Sequence, residues 1–264
     1  MGGNQEQLSL SIYCLDGFKV FRGQTLISPT KWQRKRVALL LKYVLVAGAP
    51  VPRYTLLTEF WPHLDDKAAR HNLAVTLYNL RRTLYPNHPC NRAPLYLKSN
   101  NDYIELNWNT ITFYDAQTFQ DLCREGLAAL RQGLWDQAAT VLTAANKLYQ
   151  TDFLAADVGH SWLIEERARL QSVRLDMLEH LATALYKLER YHEAQVQAKT
   201  VVQLDPCREG GHRLLMRILS ALGQRSQAIV QYRECKRLLE RELGIQPGPQ
   251  TNNLYHRIVN GESH

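Results

Sequence analysis

The sequence predicts a mainly α-helical protein of two domains, the first of which also contains a small β-sheet. Strand and helix periodicities are mixed up to about residue 114, whereas only helical periodicity follows. Up to residue 114 the chain has 14 Lys and Arg against 7 Asp and Glu, and the remainder has 18 of each. A chain of 264 residues is also longer than most single domains. We therefore predict domains at residues 1–114 and 115–264.

The composition argues against several classes of protein. Apolar residues make up 45% of the chain, too many for a disordered protein, and no apolar run approaches the roughly 18 residues that a membrane span needs. The opening MGGNQEQLSL lacks the pattern of a signal peptide, so we expect a cytoplasmic protein. Separate cysteines without a C-x-x-C pair are typical of free thiols, and we expect no metal site. These cysteines are Cys14, Cys90, Cys123, Cys207 and Cys235.

The first domain begins with strands and a helix. The stretch LSLSIYC, residues 8–14, alternates apolar and polar side chains as a half-buried strand does. Asp16–Gly17 and the following FKVF predict a hairpin. In the next segment apolar residues recur at helical spacing, and this helix ends at Gly48. They are Val37, Leu40, Leu41, Val44 and Leu45.

Two more helices and a second hairpin complete this domain. RYTLLTEFW, residues 53–61, predicts a short second helix ended by Pro62. DDKAARHNLAVTLYNLRRTLY, residues 65–85, predicts a third helix. LYLKSNNDYIEL, residues 95–106, predicts two short strands around residues that tolerate turn geometry. Strands, three helices and a terminal hairpin are the order of a winged helix-turn-helix, in which the hairpin is the wing.

The second domain shows a faint repeat. GLWDQA, ERYHEA and GQRSQA end at Ala138, Ala194 and Ala228. The last two alanines are 34 residues apart, which is the period of tetratricopeptide helix pairs. One unbroken helical pattern, residues 161–188, lies between the first two repeats. The pattern favours an all-α, tetratricopeptide-like domain over a plain helical bundle.

The third helix of the first domain has two different faces. Leu73, Leu77, Leu80 and Leu84 fall within a narrow arc and predict a core stripe. The rest of its surface carries amides, a His, a Tyr, a Val and an Arg instead of the Glu and Lys of an ordinary surface helix. Such side chains can read base edges in a DNA major groove, although a face that packs on another domain is the alternative. The predicted DNA-binding residues of this helix are His71, Asn72, Val75, Thr76, Tyr78, Asn79 and Arg82.

Basic residues around this helix predict contacts with DNA phosphates. Lys31, Arg34, Lys35 and Arg36 crowd the start of the first helix, where the helix dipole disfavours cations. A phosphate held there would explain their placement, and a solvated basic turn is the alternative. Arg53 opens the second helix and is expected to contact the backbone in the same way. In the wing, Lys98, Asn100 and Asn101 suit a phosphate or minor-groove contact, or an exposed turn.

No catalytic constellation is found, so we expect neither an enzyme nor a cofactor. The phosphate-cradling motifs G-x-x-x-x-G-K-[ST] and G-x-G-x-x-G do not occur. YHEAQV shares two letters with a zinc-protease motif but has Val196 where the second His is needed. His180, His192 and His212 lie singly on predicted helices and are expected to be structural or surface residues.

The chain resembles a known family along nearly its whole length, from about residue 8 to 258. The segment KWQRKRVALLLKYVLVAGAPVPRYTLLTEFWPHLDDKAARHNLAVTLYNLRRTL is similar to the DNA-binding part of the Streptomyces antibiotic regulatory protein family. The segment from GHSWLIEERARL to QPGPQTNNLY resembles that family's bacterial transcriptional activator domain. The motifs that carry the likeness are W-P before the third helix, L-x-x-L-R-R-x-L at its end, L-D-P…E…H-R-L-L-M and E-L-G-I-Q-P.

The resemblance implies an OmpR-like winged helix joined to a tetratricopeptide-type domain. It also implies a transcriptional activator that binds double-stranded DNA at direct repeats, as two copies side by side, and recruits RNA polymerase. By position, the third-helix residues are the base readers and residues 98–101 the wing. Many relatives have more basic residues at Tyr78 and Asn79, and the chain carries no ATPase or receiver domain.

Two other functions stay open from the sequence. A tetratricopeptide adaptor could use the winged helix for protein contacts. A ligand-gated regulator could bind a small anionic effector through Arg167, Arg169 and Arg174. The residues of the third helix favour DNA binding, because an adaptor would keep an apolar exposed patch there.

Overall fold

The computed structural model of the chain describes residues 9–86 and 96–261. Within them the protein is mainly α-helical with small β-sheets, which confirms the predicted fold class. Leu8, Cys90 and Leu95, named above, lie outside the described residues. The strands are β1 (Leu10–Tyr13), β2 (Lys19–Arg22), β3 (Thr25–Leu26), β4 (Val51–Pro52), β5 (Leu97–Ser99), β6 (Tyr103–Leu106) and β7 (Ile111–Tyr114). The helices are α1 (Lys35–Ala47), α2 (Arg53–Phe60), α3 (Asp66–Leu84), α4 (Asp115–Arg131), α5 (Trp135–Leu148), α6 (Ser161–Lys187), α7 (Tyr191–Leu204), α8 (Glu209–Ala221), α9 (Arg225–Leu243) and α10 (Pro249–Asn260).

The chain forms two compact units, and a segment distant in sequence joins the first. That unit holds the residues up to Asp115 together with Phe153–Glu166, and the second holds Ala116–Asp152 and the residues from Arg167 onward. The sequence assigned Phe153–Glu166 to the second domain, whereas the structure packs this segment, called the strap below, with the first unit. As native domain boundaries, residues 1–114 and 115–264 stay a prediction.

The first strand lies inside a four-stranded sheet of order β3-β2-β1-β7. Its alternation is observed, because Leu10 and Ile12 are fully buried while their neighbours are half-buried. The hairpin predicted at Asp16–Gly17 is confirmed: β2 runs antiparallel to β1, with Ile12 opposite Val20. Gly17 has a φ of 72°, a conformation that glycine adopts without a Cβ clash. β7 forms one edge of the sheet and pairs parallel with β1.

Asp115, at the start of α4, ties the end of β7 to the end of β1. Its buried Oδ2 accepts backbone N–H bonds from Cys14 at 2.7 Å and from Leu15 at 2.8 Å. Hydrogen bonds to a charged acceptor offset part of the cost of burying the carboxylate. Burial, and next the Asp115 charge, raise the pKa of the Cys14 thiol well above its usual range. Cys14 is therefore held as an unreactive thiol.

Three helices and a second sheet build the winged helix. Apolar side chains recur at helical spacing along α1, and Gly48, with a left-handed φ of 62°, ends the helix where the sequence predicts. Both α1 and α2 pack against α3. The wing hairpin β5–β6 is extended by β4 into a sheet of order β4-β6-β5, in which Val51 lies opposite Ile104. The order of elements predicted for the first domain is confirmed.

The strap completes the core of the first unit. The Leu154 N–H donates to the Cys14 carbonyl at 2.9 Å, and Phe153 is fully buried. On α1, the Lys42 Nζ lies 2.7 Å from the Asp157 carboxylate, and only 7% of the Lys42 side chain is exposed. An ammonium group buried without a counter-charge is strongly unfavourable. The strap therefore supplies a charge that the first unit needs.

The three predicted repeats of the second unit share one turn geometry. In each, a residue with positive φ ends one helix and a fully buried alanine lies in the next. The pairs are Gly133 and Ala138, Glu189 and Ala194, and Gly223 and Ala228, with φ values of 73°, 58° and 73°. The N–H after each positive-φ residue donates to the carbonyl five residues earlier, which is the Schellman arrangement. The tetratricopeptide-like interpretation is confirmed.

The long α6 matches the unbroken helical pattern of the sequence. It was predicted over residues 161–188 and is observed over Ser161–Lys187. Its first residues, up to Glu166, belong to the strap. Of the helices that the structure describes, none combines the length and the apolar character that crossing a membrane requires.

Candidate nucleic-acid interface

The α3 helix is anchored by one apolar stripe. Its N-cap Asp65 accepts a hydrogen bond from the Ala68 N–H at 2.8 Å, which satisfies one of the free amides of the first turn. The stripe packs against α1 and α2, and all of its members are buried. They are Ala69, Leu73, Leu77, Leu80 and Leu84. This packing fixes which side of the helix faces outward.

The outward side carries the residues predicted to read bases. His71, Val75, Tyr78 and Arg82 are all exposed, with 44% of Val75 and 62% of Tyr78 accessible. At about 100° per residue they form one strip opposite the leucines. In that order, these four side chains present an imidazole, a pair of methyl groups, a phenol and a guanidinium. These groups can meet base edges, a thymine methyl and a phosphate.

Thr76 corrects the sequence prediction. Only 7% of it is exposed, and its hydroxyl donates to the Asn72 carbonyl at 2.8 Å. On the helix it lies between the leucine stripe and Asn72. Thr76 is thus a packing residue and does not belong to the reading face.

Asn72 and Asn79 lie on the edge of the reading face, where both are half-buried. The Asn79 Oδ1 accepts a short hydrogen bond from the Arg34 guanidinium. Arg34 comes from the segment before α1, so this bond joins two predicted DNA-binding regions. The Asn79 amide group still has its NH₂ for another partner, while its oxygen orients the arginine.

The basic residues before and within α1 form one exposed group beside this edge. Lys31, Arg34, Lys35 and Arg36 are exposed, and the N-cap Arg34 makes no side-chain cap. The Val37 N–H already donates to the Arg34 carbonyl at 2.8 Å, so the N–H groups at the start of α1 that suit an anion are those of Lys35 and Arg36. The Arg36 guanidinium lies 5.4 Å from the centre of the Trp61 ring, which is within the range of a cation–π contact.

The wing tip is held by its own hydrogen bonds. The Asn100 Oδ1 accepts the N–H groups of Asp102 and Tyr103, both at 2.8 Å. Lys98 is exposed, and its Nζ lies 3.8 Å from the Glu105 carboxylate, so its charge is partly compensated. Asn101 is exposed. Asn100 acts first as a turn residue, and Lys98 and Asn101 are the wing residues open to a ligand.

Two arginines meet at the base of the wing, and the sequence predicted only one of them. Arg53 begins α2, and its N–H donates to the Asp102 carbonyl at 2.8 Å. Arg81, in the last turns of α3, donates from Nη2 to the Ser99 hydroxyl at 2.6 Å. Burial, and next the charge of Arg53, lower the pKa of Arg81. The R-R pair of the third-helix motif could have indicated Arg81, although at about 100° per residue Arg81 lies off the reading face.

The second unit contains a cavity of about 450 Å³ between α4 and α6. Its walls include Cys123, Arg124, Asp176 and His180. Burial lowers the pKa of His180, although the neighbouring carboxylates of Asp176 and Glu179 act to raise it. The three arginines that the sequence offered to an anionic effector do not line this cavity. The Arg174 guanidinium instead lies 4.6 Å from the centre of the Tyr149 ring.

The other single histidines fit structural or surface roles. His212 is fully buried, with Nε2 2.9 Å from the Pro206 carbonyl and Nδ1 2.6 Å from the Gln231 amide nitrogen. His192 is exposed on α7. Within residues 9–86 and 96–261, no group of three or more His, Cys, Asp or Glu side chains is arranged to hold a metal ion.

Comparison with known proteins agrees with this architecture. The model of the bacterial transcriptional activator domain matches residues 114–259. The regulatory protein AfsR of Streptomyces griseus is 26% identical over 254 residues, which cover 96% of this chain and 25% of that protein. The regulatory protein DnrI of Streptomyces peucetius is 25% identical, over 90% of this chain and 88% of that protein. The chain thus spans about a quarter of the length of AfsR and most of the length of DnrI.

A solved structure has the same fold. Mycobacterium tuberculosis EmbR, in a complex with a low-affinity phosphopeptide, superposes with a TM-score of 0.81 and 21% sequence identity. The superposition covers 97% of this chain and 66% of that chain. The fold and the site define a winged helix-turn-helix protein with a tetratricopeptide-like helical unit. The chain belongs to the bacterial transcriptional activator domain family, and its resemblance to the Streptomyces antibiotic regulatory proteins is confirmed.

Proposed function

We propose that the protein is a sequence-specific DNA-binding transcriptional activator of the bacterial cytoplasm. The observation that carries the proposal is the face of α3 opposite its leucine stripe. His71, Val75, Tyr78 and Arg82 are exposed there together, where solvation alone would favour Glu and Lys. The relatives AfsR and DnrI are named regulatory proteins, which supports the same role.

The proposed binding mode places α3 in the major groove. Val75 then meets a thymine methyl, and His71, Tyr78 and the Asn79 NH₂ approach polar base edges. The basic group at Lys31 and residues 34–36 meets the backbone on one side of the helix. The wing, with Lys98 and Asn101, meets it on the other.

The proposed role of the helical unit is activation. Charges balance from residue 115 onward, with 18 Lys and Arg against 18 Asp and Glu, so this part is not built for a polyanion. Stacked helix pairs present surfaces to partner proteins. We propose that the unit contacts RNA polymerase, or a second copy of the chain bound at the adjacent direct repeat. The protein regulates transcription and catalyses no reaction of its own.

The test is selection of bound duplexes from a random pool by the full chain. We expect an enriched sequence, and we expect Val75→Ala to change the enriched bases. Arg70→Ala is the matched control, because Arg70 pairs with Asp66 on α3 and lies off the reading face. A pool that stays random after selection would contradict sequence-specific binding.

One observation favours a second candidate, an adaptor whose winged helix binds protein. Val75 and Tyr78 are apolar or amphipathic and unusually exposed. The two functions predict different salt responses. DNA affinity falls steeply with salt, whereas an apolar protein contact through these side chains is little changed.

A further inference from the structure

The cavity between α4 and α6 is a feature of the helical unit that neither DNA binding nor activation uses. Its volume of about 450 Å³ lies within the range of roughly 300–1,000 Å³ that is typical of pockets for small organic molecules. All of its lining residues belong to the second unit. They lie between Gln117 and Leu127 on α4 and between Val173 and His180 on α6. The cavity is therefore large enough for a small ligand.

Both walls of the cavity are held in place by contacts on their other faces. On α4, a Cβ atom added to Gly126 would lie 2.4 Å from Leu142 Cδ2, so α4 and α5 approach closely there. On α6, Leu178 and Leu181 are buried. The Arg208 Nε also donates to the Glu179 Oε1 at 2.9 Å. Because close-packed helices shift little, the cavity is formed before a ligand arrives.

The interior of the cavity is mainly apolar. Leu127, Val173 and Met177 contribute aliphatic and thioether surface, and Cys123 contributes a thiol. Burial, and next the charge of Asp176, raise the pKa of Cys123 to about 12. An uncharged thiol behaves as a small apolar group. These four side chains favour an apolar ligand, since such a ligand gains from leaving water.

The charged residues that line the cavity already have partners. Arg124 forms an ion pair with Asp121, and Asp176 forms one with Arg208. Neither side chain therefore presents an uncompensated charge to a ligand. A charged ligand would lose its hydration on entering and would find no free counter-charge among these two residues. The electrostatics favour an uncharged ligand.

His180 and Gln120 provide hydrogen-bonding groups at the cavity wall. Among the described residues, none forms a hydrogen bond with the His180 ring. Burial lowers the pKa of His180, which favours the uncharged ring with one donor and one acceptor nitrogen. The Gln120 Nε2 donates to the Ala116 carbonyl at 2.9 Å, so its Oε1 is the group left to accept. One hydroxyl or amide of a ligand can thus be satisfied.

We propose that the cavity between α4 and α6 binds a small uncharged molecule of fused apolar rings, with one hydroxyl or amide group that hydrogen-bonds to His180. The wall residues span about 10 Å along α6 and about 15 Å along α4, at 1.5 Å per residue, which suits two to four fused rings. This binding needs no DNA, so it goes beyond the proposed function and can hold or fail without it.

Equilibrium dialysis of the full chain with three probes of one shape tests the ligand class. Naphthol has two fused rings and one hydroxyl, naphthalene lacks the hydroxyl, and naphthoate carries a carboxylate in its place. We expect naphthol to bind about fivefold more tightly than naphthalene, which is the contribution of one hydrogen bond. We expect naphthoate to bind more weakly than naphthol, because its charge must be desolvated.

Substitutions in the cavity wall locate the bound probe. Val173→Trp fills the cavity and should weaken naphthol binding at least tenfold. Gln171→Trp is the matched control, because Gln171 is exposed on the same helix and does not line the cavity. His180→Phe keeps a ring but loses both nitrogens, so it should weaken naphthol binding about fivefold and leave naphthalene binding unchanged. It gives an independent measurement if the Val173→Trp variant fails to fold.

Each other outcome contradicts part or all of the proposal. If naphthol does not bind up to its solubility limit, the cavity is not a site for this class of ligand. Equal binding by the Val173→Trp and Gln171→Trp variants would place the probe elsewhere on the chain. Tighter binding of naphthoate than of naphthol would make the cavity an anion site at Arg124. Equal losses of naphthol and naphthalene in the His180→Phe variant would remove the hydrogen bond to His180.

Discussion

At the scale of single residues, the edges of the reading face differ from its centre. The centre, His71 and Tyr78, is exposed as the helical period predicts. At one edge Asn79 is engaged by Arg34, and Thr76 just beyond it is buried. At the other edge Arg81 turns to Ser99. Neighbouring elements therefore decide the roles of edge residues.

Arg82 and Asn79 should affect DNA binding in different ways. Arg82→Ala should weaken binding to all sequences and reduce the salt slope by about 0.9, since a phosphate contact carries no sequence information. Asn79→Ala should relax preference at one base pair by about 1–3 kcal/mol. Titration of selected and random duplexes measures both effects, and equal losses on both duplexes for both variants would refute the assignment.

The Asn79 effect should depend on Arg34. Because the guanidinium of Arg34 donates to the Asn79 oxygen, losing either side chain releases the other. In a double-mutant cycle with Arg34→Ala, we expect a coupling energy of about 0.5–3 kcal/mol in binding. Additive losses would show that the two side chains act on DNA independently.

Glu189 offers a residue-scale test of the repeat. It has a φ of 58° at a position where the other two repeats have glycine. A left-handed conformation costs an L-residue roughly 1–2 kcal/mol, and the greater chain entropy of unfolded glycine offsets part of this. Glu189→Gly should thus raise the free energy of unfolding by about 0.5–1 kcal/mol. Denaturant titration measures it.

Gly223→Ala is the matched control for that change. Gly223 has a φ of 73°, and an added Cβ would meet no atom within 4 Å, so the cost is conformational only. We expect it to lower the free energy of unfolding by about 1 kcal/mol. Should both substitutions shift stability in the same direction, the shared turn geometry would not be the cause.

At the scale of elements, the features that depend on local sequence patterns could be predicted, whereas contacts between distant segments could not. The strands, the hairpins and the ends of α1 and α6 follow from alternation, turn residues and helical spacing in short windows. The strap could not be predicted in this way, because Phe153–Glu166 reaches the first unit from far along the chain. From the sequence Asp157 is only a loop residue, because its partner Lys42 lies in a distant part of the chain. Arg81 was missed for the same reason, since Ser99 lies on another element.

Breaking the strap's ion pair should destabilise the protein. Asp157→Asn leaves the Lys42 ammonium buried with a neutral partner, and losing one member of a buried pair costs about 3–5 kcal/mol. Since 21% of the Asp157 side chain is exposed, we expect a loss near 3 kcal/mol or somewhat below it. Lys19→Met removes an exposed pair with Asp16 and should cost less than about 1 kcal/mol. Equal losses by calorimetry would mean that solvent screens Lys42 as well.

At the scale of the whole molecule, charge and fold are divided between two tasks. The residues up to 114 carry the whole net charge of +7, and the residues beyond it are balanced. Binding to DNA and activation of transcription should therefore respond to different substitutions. The helical unit offers exposed valines at matching repeat positions, Val196 two residues after Ala194 and Val230 two after Ala228.

Charging these valines should uncouple activation from DNA binding. In the full chain, Val196→Glu with Val230→Glu should leave the DNA affinity and the melting temperature unchanged, because both side chains are exposed. Transcription from a selected operator with purified polymerase should fall several-fold if the helical unit contacts polymerase or a second copy. Thr140→Glu, at the equivalent exposed position of the first repeat, is the control. Full activation by the double variant would direct attention to the winged helix as the activating surface.

The strap limits where recombination can exchange the domains of such proteins. If recombination joined this winged helix at residue 114 to a foreign effector module, the hybrid would inherit Lys42 without Asp157 and the Cys14 and Leu15 amides without Asp115. A viable crossover must keep both carboxylates, so it falls after Glu166, within the continuous helix α6. Chimeras cut in that helix, with the intervening helices retained, are the ones expected to survive shuffling.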